Sequence, residues 1–171
     1  MQSMITVRAL QKTYPGADTP AVDGLEFDIH KGEVFSLLGP NGAGKTTTLS
    51  MLSCLIEPDE GEIQVDGFST QSNPLQVKQR IGVVPQEIAL YPALSARENL
   101  LFWGRMAGLG GQELRERTNR MLESVSLSDR ANDRIETFSG GMKRRINIAV
   151  GLLHEPDVLF LDEPTAGIDP Q

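Results

Sequence analysis

Cysteine is nearly missing from this chain: Cys54 is the single one. An internal disulfide framework is therefore excluded, and a reducing compartment fits. Cys54 falls in the apolar C-terminal half of a helix expected from Thr46 to Leu55, which favours a buried structural thiol over a reactive one. No run approaches the ~18 apolar residues of a membrane span, so if the protein acts at a membrane another chain must cross it. The first residues lack a basic segment followed by an apolar stretch, so no signal peptide is expected. Positive charge is also in short supply. The net charge is −7, whereas a nucleic-acid surface carries a basic stripe, so no nucleic-acid partner is expected. Internal repeats and low-complexity tracts are absent. What remains is 171 residues with 39% hydrophobic and 23% charged side chains, ordinary for one globular domain with its own core.

The chain is organised around Gly39-Pro40-Asn41-Gly42-Ala43-Gly44-Lys45-Thr46-Thr47, which matches Gly-x-x-x-x-Gly-Lys-Ser/Thr, the phosphate-binding P-loop. An apolar run, Val34 to Leu38, precedes it and a helix-compatible run follows. That strand–loop–helix context gives the motif its meaning. Gly42 and Gly44 let successive backbone N–H groups converge on one anion. The helix start adds its positive end. Lys45 supplies a point charge for the outer phosphates, and the Thr46 hydroxyl can hold magnesium.

The rest reads as an α/β chain. Residues 4–10 and 22–30 alternate as one-sided strands and suit an antiparallel β ribbon. Residues 34–38 are apolar on both faces, as in a buried parallel strand. Short strands are expected at 62–65 and 81–84, with one or two helical turns at 75–79. From 88 to 137 strand signals vanish. Ser95-Ala96-Arg97-Glu98 is a capping box opening a helix to about Met106, and a second helix runs over about 112–126. A further helix over about 142–153 buries Ile146, Ala149, Val150 and Leu153. Lys143, Arg144 and Arg145 read as a solvated face, His30 as a strand-end surface residue, and His154 as a cation suited to a helix C-terminus. The expected fold is a P-loop NTPase core with a RecA-like parallel sheet, made of 1–87 and 138–171, and a helical insertion at 88–137.

Val158 to Leu161 is an apolar strand that runs into Asp162-Glu163-Pro164. By itself this is a strand-to-loop turn at the surface. Beside a P-loop it is the Walker B pattern: Asp162 organises magnesium, and Glu163 can take a proton from a water attacking the terminal phosphate.

Taken together, these motifs resemble the nucleotide-binding domain of an ATP-binding-cassette (ABC) ATPase along all 171 residues. Gln86 follows a short strand, as in the family's Q-loop. Phe138-Ser139-Gly140-Gly141-Met142 stands where the family has Leu-Ser-Gly-Gly-Gln. Ala166-Gly167-Ile168-Asp169 resembles the D-loop, and Tyr14 lies where the family stacks an aromatic ring on adenine. Alone, Gln86 is a polar loop residue, Tyr14 a turn tyrosine and Ser139-Gly140-Gly141 a flexible cap. The resemblance implies ATP and Mg2+ as ligands. Gly39, Asn41, Gly42, Ala43, Gly44, Lys45, Thr46 and Thr47 would cradle the phosphates, and Ser139, Gly140 and Gly141 would reach the γ-phosphate held by a second ATP-binding domain. Thr46, Gln86 and Asp162 would hold the metal; Lys45, Gln86 and Glu163 would act in catalysis. It also implies a separate transmembrane permease subunit and a place on the cytoplasmic face of the membrane. The Ser-Gly-Gly-Met variant, followed by Arg144 and Arg145, resembles the cassettes of drug- and polysaccharide-type exporters. Non-transport cassettes of nucleic-acid repair or the ribosome are the alternative, as is an ATP-gated dimer switch. The family continues past the D-loop with a strand ending in a switch histidine, and neither His30 nor His154 occupies that position. The expectation is a C-terminally truncated cassette, poorly stable and feebly hydrolytic as 1–171.

Overall fold

The computed structural model describes residues 3–162. The chain divides into two compact units, 1–81 and 82–171.

The first unit is built on a four-stranded antiparallel sheet in the order β2-β1-β3-β4, with β1 at Ser3–Lys12, β2 at Val22–His30, β3 at Glu60–Val65 and β4 at Phe68–Ser69. Both expected ribbon strands form, and β3 joins them. Ile5 pairs with Ile29 on one side and with Val65 on the other. The alternation puts Ile5, Val7 and Leu10 of β1 and Ile63 and Val65 of β3 into the core. A register shift between Val7 and Leu10 marks a bulge at Ala9, whose φ is +45°. Asp66 and Gly67, both at positive φ, make the tight turn of the β3–β4 hairpin. Helix α1 (Lys45–Leu52) packs against β3 with Met51 and Leu52 buried. A shorter helix, α2 (Pro74–Arg80), starts on a proline at its first turn and buries Val77.

Two expectations fail in this unit. The run 34–38 is not a strand, and Val34 and Leu38 are 98% and 91% exposed. A buried parallel strand exists only when neighbours take its N–H and C=O groups. Among the described residues no strand pairs with this run, and Phe35 stacks on Phe27 at 4.9 Å. Helix α1 also ends earlier than expected. Cys54 lies beyond it, half-buried and at φ +56°. Burial raises its thiol pKa, so it is a poor nucleophile at neutral pH.

The second unit pairs β5 (Ile81–Val84) with β6 (Val158–Leu161) in a parallel sheet. Between them lie α3 (Ala96–Met106), α4 (Gly111–Ser124), two 3-10 turns at Ser128–Arg130 and Ile135–Thr137, and α5 (Gly140–Leu152). Their shared core includes Leu100, Leu114, Leu122, Ile135, Ile146 and Leu153. Phe138 joins that core, and Met142 packs at its edge. Both departures from the family's Leu-Ser-Gly-Gly-Gln are therefore packing choices. Gly82 lies hard against α5: a Cβ there would stand 2.2 Å from the Gly151 carbonyl oxygen. Gly82→Val should therefore destabilise this unit by about 1–3 kcal/mol, since backbone must move to admit the side chain; a urea melt measures the loss.

The capping box forms as the spacing predicts. Ser95 Oγ accepts from Glu98 N at 3.2 Å, and Ser95 N donates to Glu98 Oε2 at 2.8 Å. The hydrogen bonds from the Ser95 backbone and hydroxyl hold the Glu98 carboxyl below its ordinary value of 4.5. A lowered folded-state pKa stabilises above the unfolded value and stops doing so as pH falls through the folded one. Ser95→Ala should cost about 1 kcal/mol at neutral pH. The gap between the two proteins should narrow as thermal melts are taken below pH 4.5.

Candidate functional site

The N-terminus of α1 is where the first unit gathers its chemistry. Gly44 is the N-cap, at φ +79° and ψ 6°, and no side chain caps it. A Cβ on Gly44 would lie 2.2 Å from the Ala21 carbonyl oxygen and 3.1 Å from Val22 Cγ2, so both conformation and space demand glycine. The first rung of the helix runs from Thr48 N to Gly44 O at 2.8 Å. The amides of Lys45, Thr46 and Thr47 therefore lie outside the ladder, at the positive end of the dipole. No acidic residue occupies the first turn. The Lys45 ammonium donates to the Gly39 and Pro40 carbonyls at 2.7 and 2.9 Å, which folds the cation back over its own loop. Asn41, Gly42, Ala43 and Thr46 are exposed around it. Free amides, a lysine and a hydroxyl at one helix start make a site for a polyanion that can share a divalent cation.

Tyr14 is brought to the same place, with its hydroxyl 3.4 Å from Thr47 Oγ1. Its turn is anchored at the base. Ala21 N donates to Lys12 O at 2.7 Å, while Asp59 accepts from Lys12 Nζ and Thr13 N, each at 2.7 Å. The Lys12 hydrogen bond is the main reason that the Asp59 carboxyl titrates below its usual range. The Tyr14 ring is 45% exposed, open for stacking.

The second unit holds the other predicted residues. Ser139 caps α5, its Oγ accepting from Met142 N at 3.3 Å. Gly140 and Gly141 follow at ordinary negative φ, and a Cβ on either would meet nothing within 4 Å. Neither packing nor backbone conformation in the described residues requires glycine there, although each glycine weakens a helix by about 1 kcal/mol. Gln86 is exposed just beyond β5, and Asp162 is half-buried just beyond β6. The Asp162 amide donates to the Val84 carbonyl at 3.0 Å, so the chain ends leaving β5 and β6 are fixed side by side. Glu163 and the D-loop residues Ala166 to Asp169 lie outside the described residues.

One expectation is overturned here. Arg144 does not belong to a solvated face: it is 5% exposed. Its guanidinium donates to the carbonyls of Pro85 at 2.6 Å, Gln86 at 3.3 Å and Asp162 at 3.2 Å. Arg145 is exposed, as expected, and bonds the Val125 carbonyl at 2.6 Å. One turn further along α5, the buried Asn147 accepts from Ala89 N at 3.2 Å. In the sequence Arg144 is the middle of three consecutive cations, and nothing local separates it from its neighbours.

The ABC transporter family matches residues 22–166. The linearmycin resistance ATP-binding protein LnrL of Bacillus subtilis is 55% identical over 168 residues, which are 98% of this chain and 53% of that protein. The Nod factor export ATP-binding protein I of Burkholderia orbicola is 46% identical over 167 residues, 98% of this chain and 54% of that protein. This chain thus spans about half the length of the curated relatives it matches. Among solved structures, the dimeric bacterial ABC transporter cassette MJ0796 superposes with a TM-score of 0.85 at 31% identity, covering 97% of this chain and 76% of that one. Glycine-lined amides at α1, the Ser-Gly-Gly cap of α5 and these likenesses agree: the chain belongs to the ABC transporter family.

Proposed function

We propose that this chain is the ATP-binding and ATP-hydrolysing part of an exporter, working with a separate transmembrane permease at the cytoplasmic face of the membrane. The observation that carries the reading is the start of α1: free helix amides, Lys45 and Thr46, with no acidic residue to occupy the anion's place. Gly39, Asn41, Gly42, Ala43, Gly44, Lys45, Thr46 and Thr47 bind the phosphates, and Tyr14 stacks on the base. Thr46, Gln86 and Asp162 offer hydroxyl, amide and carboxylate oxygens, a hard donor set that suits Mg2+, and none of the three is buried. When bound, Mg2+ neutralises charge on the outer phosphates. Lys45 adds its own charge there. Glu163 accepts the proton of the attacking water as the water oxygen bonds the γ-phosphorus and the bond from that phosphorus to the β,γ-bridging oxygen breaks, leaving ADP and phosphate.

Gly140 and Gly141 support the second half of the reading. Glycines that the described part of the fold does not need leave a bare helix start for an outside group to approach. We assign that group as the γ-phosphate of ATP held by a second ATP-binding domain. The relatives' names, linearmycin resistance and Nod factor export, favour outward transport.

The test is turnover of the full-length protein reconstituted with its permease, beside Gly141→Glu. A carboxylate at the α5 start should repel the phosphate and lower turnover at least about tenfold, with ATP affinity of the isolated subunit unchanged. Wild-type turnover in Gly141→Glu would rule out the shared site.

A further inference from the structure

The buried cation on α5 has a place in this machinery that its neighbours do not. We propose that Arg144 is a positioning residue, which ties the signature helix to the chain segments carrying Gln86 and Asp162. This rests on the reading of Gln86 and Asp162 as magnesium ligands.

The geometry is specific. A guanidinium presents five N–H donors in a fixed plane. Arg144 directs Nη1 to the Pro85 and Gln86 carbonyls and Nη2 to the Asp162 carbonyl. The first two lie just beyond β5 and the third just beyond β6. A charge this deeply buried must keep its acceptors, because losing one leaves it poorly solvated. The two segments are therefore held in register by one rigid fork, and the fork stands on the helix that Ser139, Gly140 and Gly141 begin. Asn147 strengthens the arrangement on the same face of α5, its Oδ1 taking the Ala89 amide and its Nδ2 reaching the Pro85 carbonyl at 3.4 Å. Gly82, seated against Gly151, brings β5 close enough to α5 for these bonds to form. A displacement of the start of α5 is thus passed to the backbone of Gln86 and Asp162 without passing through the helices α3 and α4. Lysine cannot replace this fork, because its ammonium is a single point with no planar spread.

The experiment uses the full-length protein with its permease, as Arg144→Met and Arg144→Lys. Hydrogen exchange at the amides of Gln86 to Ala89 should accelerate about tenfold or more in Arg144→Met, the factor expected on losing a charge-assisted hydrogen bond, while the amides of α3 keep their protection. The Mg2+ concentration for half-maximal turnover should rise about tenfold, as for other residues that orient metal ligands. The ATP affinity measured without Mg2+ should stay within about twofold, because the phosphate cradle at α1 is untouched. Arg144→Lys should fall between wild type and Arg144→Met. Unchanged exchange at 86–89 in both variants would overturn the proposal. So would equal acceleration at 86–89 and in α3, which would make Arg144 a general packing residue. Should the wild type bind no ATP, the functional reading falls, and the exchange comparison still decides whether the fork holds the segments.

Discussion

Glu163→Gln in the full-length protein should turn over ATP about a thousandfold more slowly than wild type while binding it equally well. The carboxylate at 163 directly follows Asp162 in the sequence, and two adjacent carboxylates can take separate roles. One is suited to the ion and the other to the attacking water. General-base assistance is worth roughly 10²–10⁴ in rate, and glutamine keeps the shape of glutamate while losing the proton acceptor. Binding should survive because the amides of α1, Lys45 and Thr46 are unaltered. Single-turnover hydrolysis with labelled ATP, beside equilibrium binding, separates the two effects. Equal loss of both would mean that Glu163 acts by holding the site together. Unchanged turnover would remove it from the chemistry and favour a nucleotide-gated switch.

Gly44→Val should weaken ATP binding about a hundredfold. The position fails for a side chain twice over. Its φ of +79° is a left-handed conformation, costly for any L-residue and most for a β-branched one. Its Cβ would also meet the Ala21 carbonyl oxygen at 2.2 Å, and that oxygen is backbone, flanked by the Ala21–Lys12 hydrogen bond at 2.7 Å. Relief requires the start of α1 to move by about an ångström, and misplacement of that size costs about two orders of magnitude in a preorganised site. The amides of Lys45 to Thr47 would move with it. Far-ultraviolet circular dichroism should remain that of a folded protein, and fluorescence titration with a labelled ATP reads the affinity. Wild-type affinity in this variant would mean that the loop geometry is not what binds the phosphates.

The elements that local chemistry specifies were legible in the sequence. The capping box at Ser95 places the start of α3 to the residue, because its two hydrogen bonds involve residues only three apart. The alternation in 4–10 and 22–30 shows β1 and β2, because a one-sided strand writes its burial into a period of two. The P-loop spelled out the α1 start through glycines whose conformations the structure confirms at Gly42 and Gly44. What failed depended on neighbours. The run 34–38 has the composition of a buried strand, yet a strand is a property of a ladder, and none of the described strands pairs with it. Cys54 was expected within the helix, but α1 ends at Leu52 and the chain turns left-handed at Cys54. Arg144 was hidden for a related reason. Three cations in a row signal a wet face, and only the packing of α5 against the chain beyond β5 and β6 singles out the middle one. The candidate site divides along the same line: the proposed phosphate cradle is motif-encoded, whereas Arg144, proposed to position the segments of Gln86 and Asp162, is visible only in three dimensions.

ATP binding at the start of α1 underlies every role proposed above. Its most direct test is isothermal titration of MgATP into the full-length protein and into Lys45→Ala. The wild type should bind one ATP per subunit. The variant should bind at least about tenfold more weakly, the loss expected when a charge-assisted contact to phosphate is removed. Equal affinity in the two proteins, or no binding by the wild type, would contradict the assignment of Gly39 to Thr47 as the nucleotide's phosphate cradle.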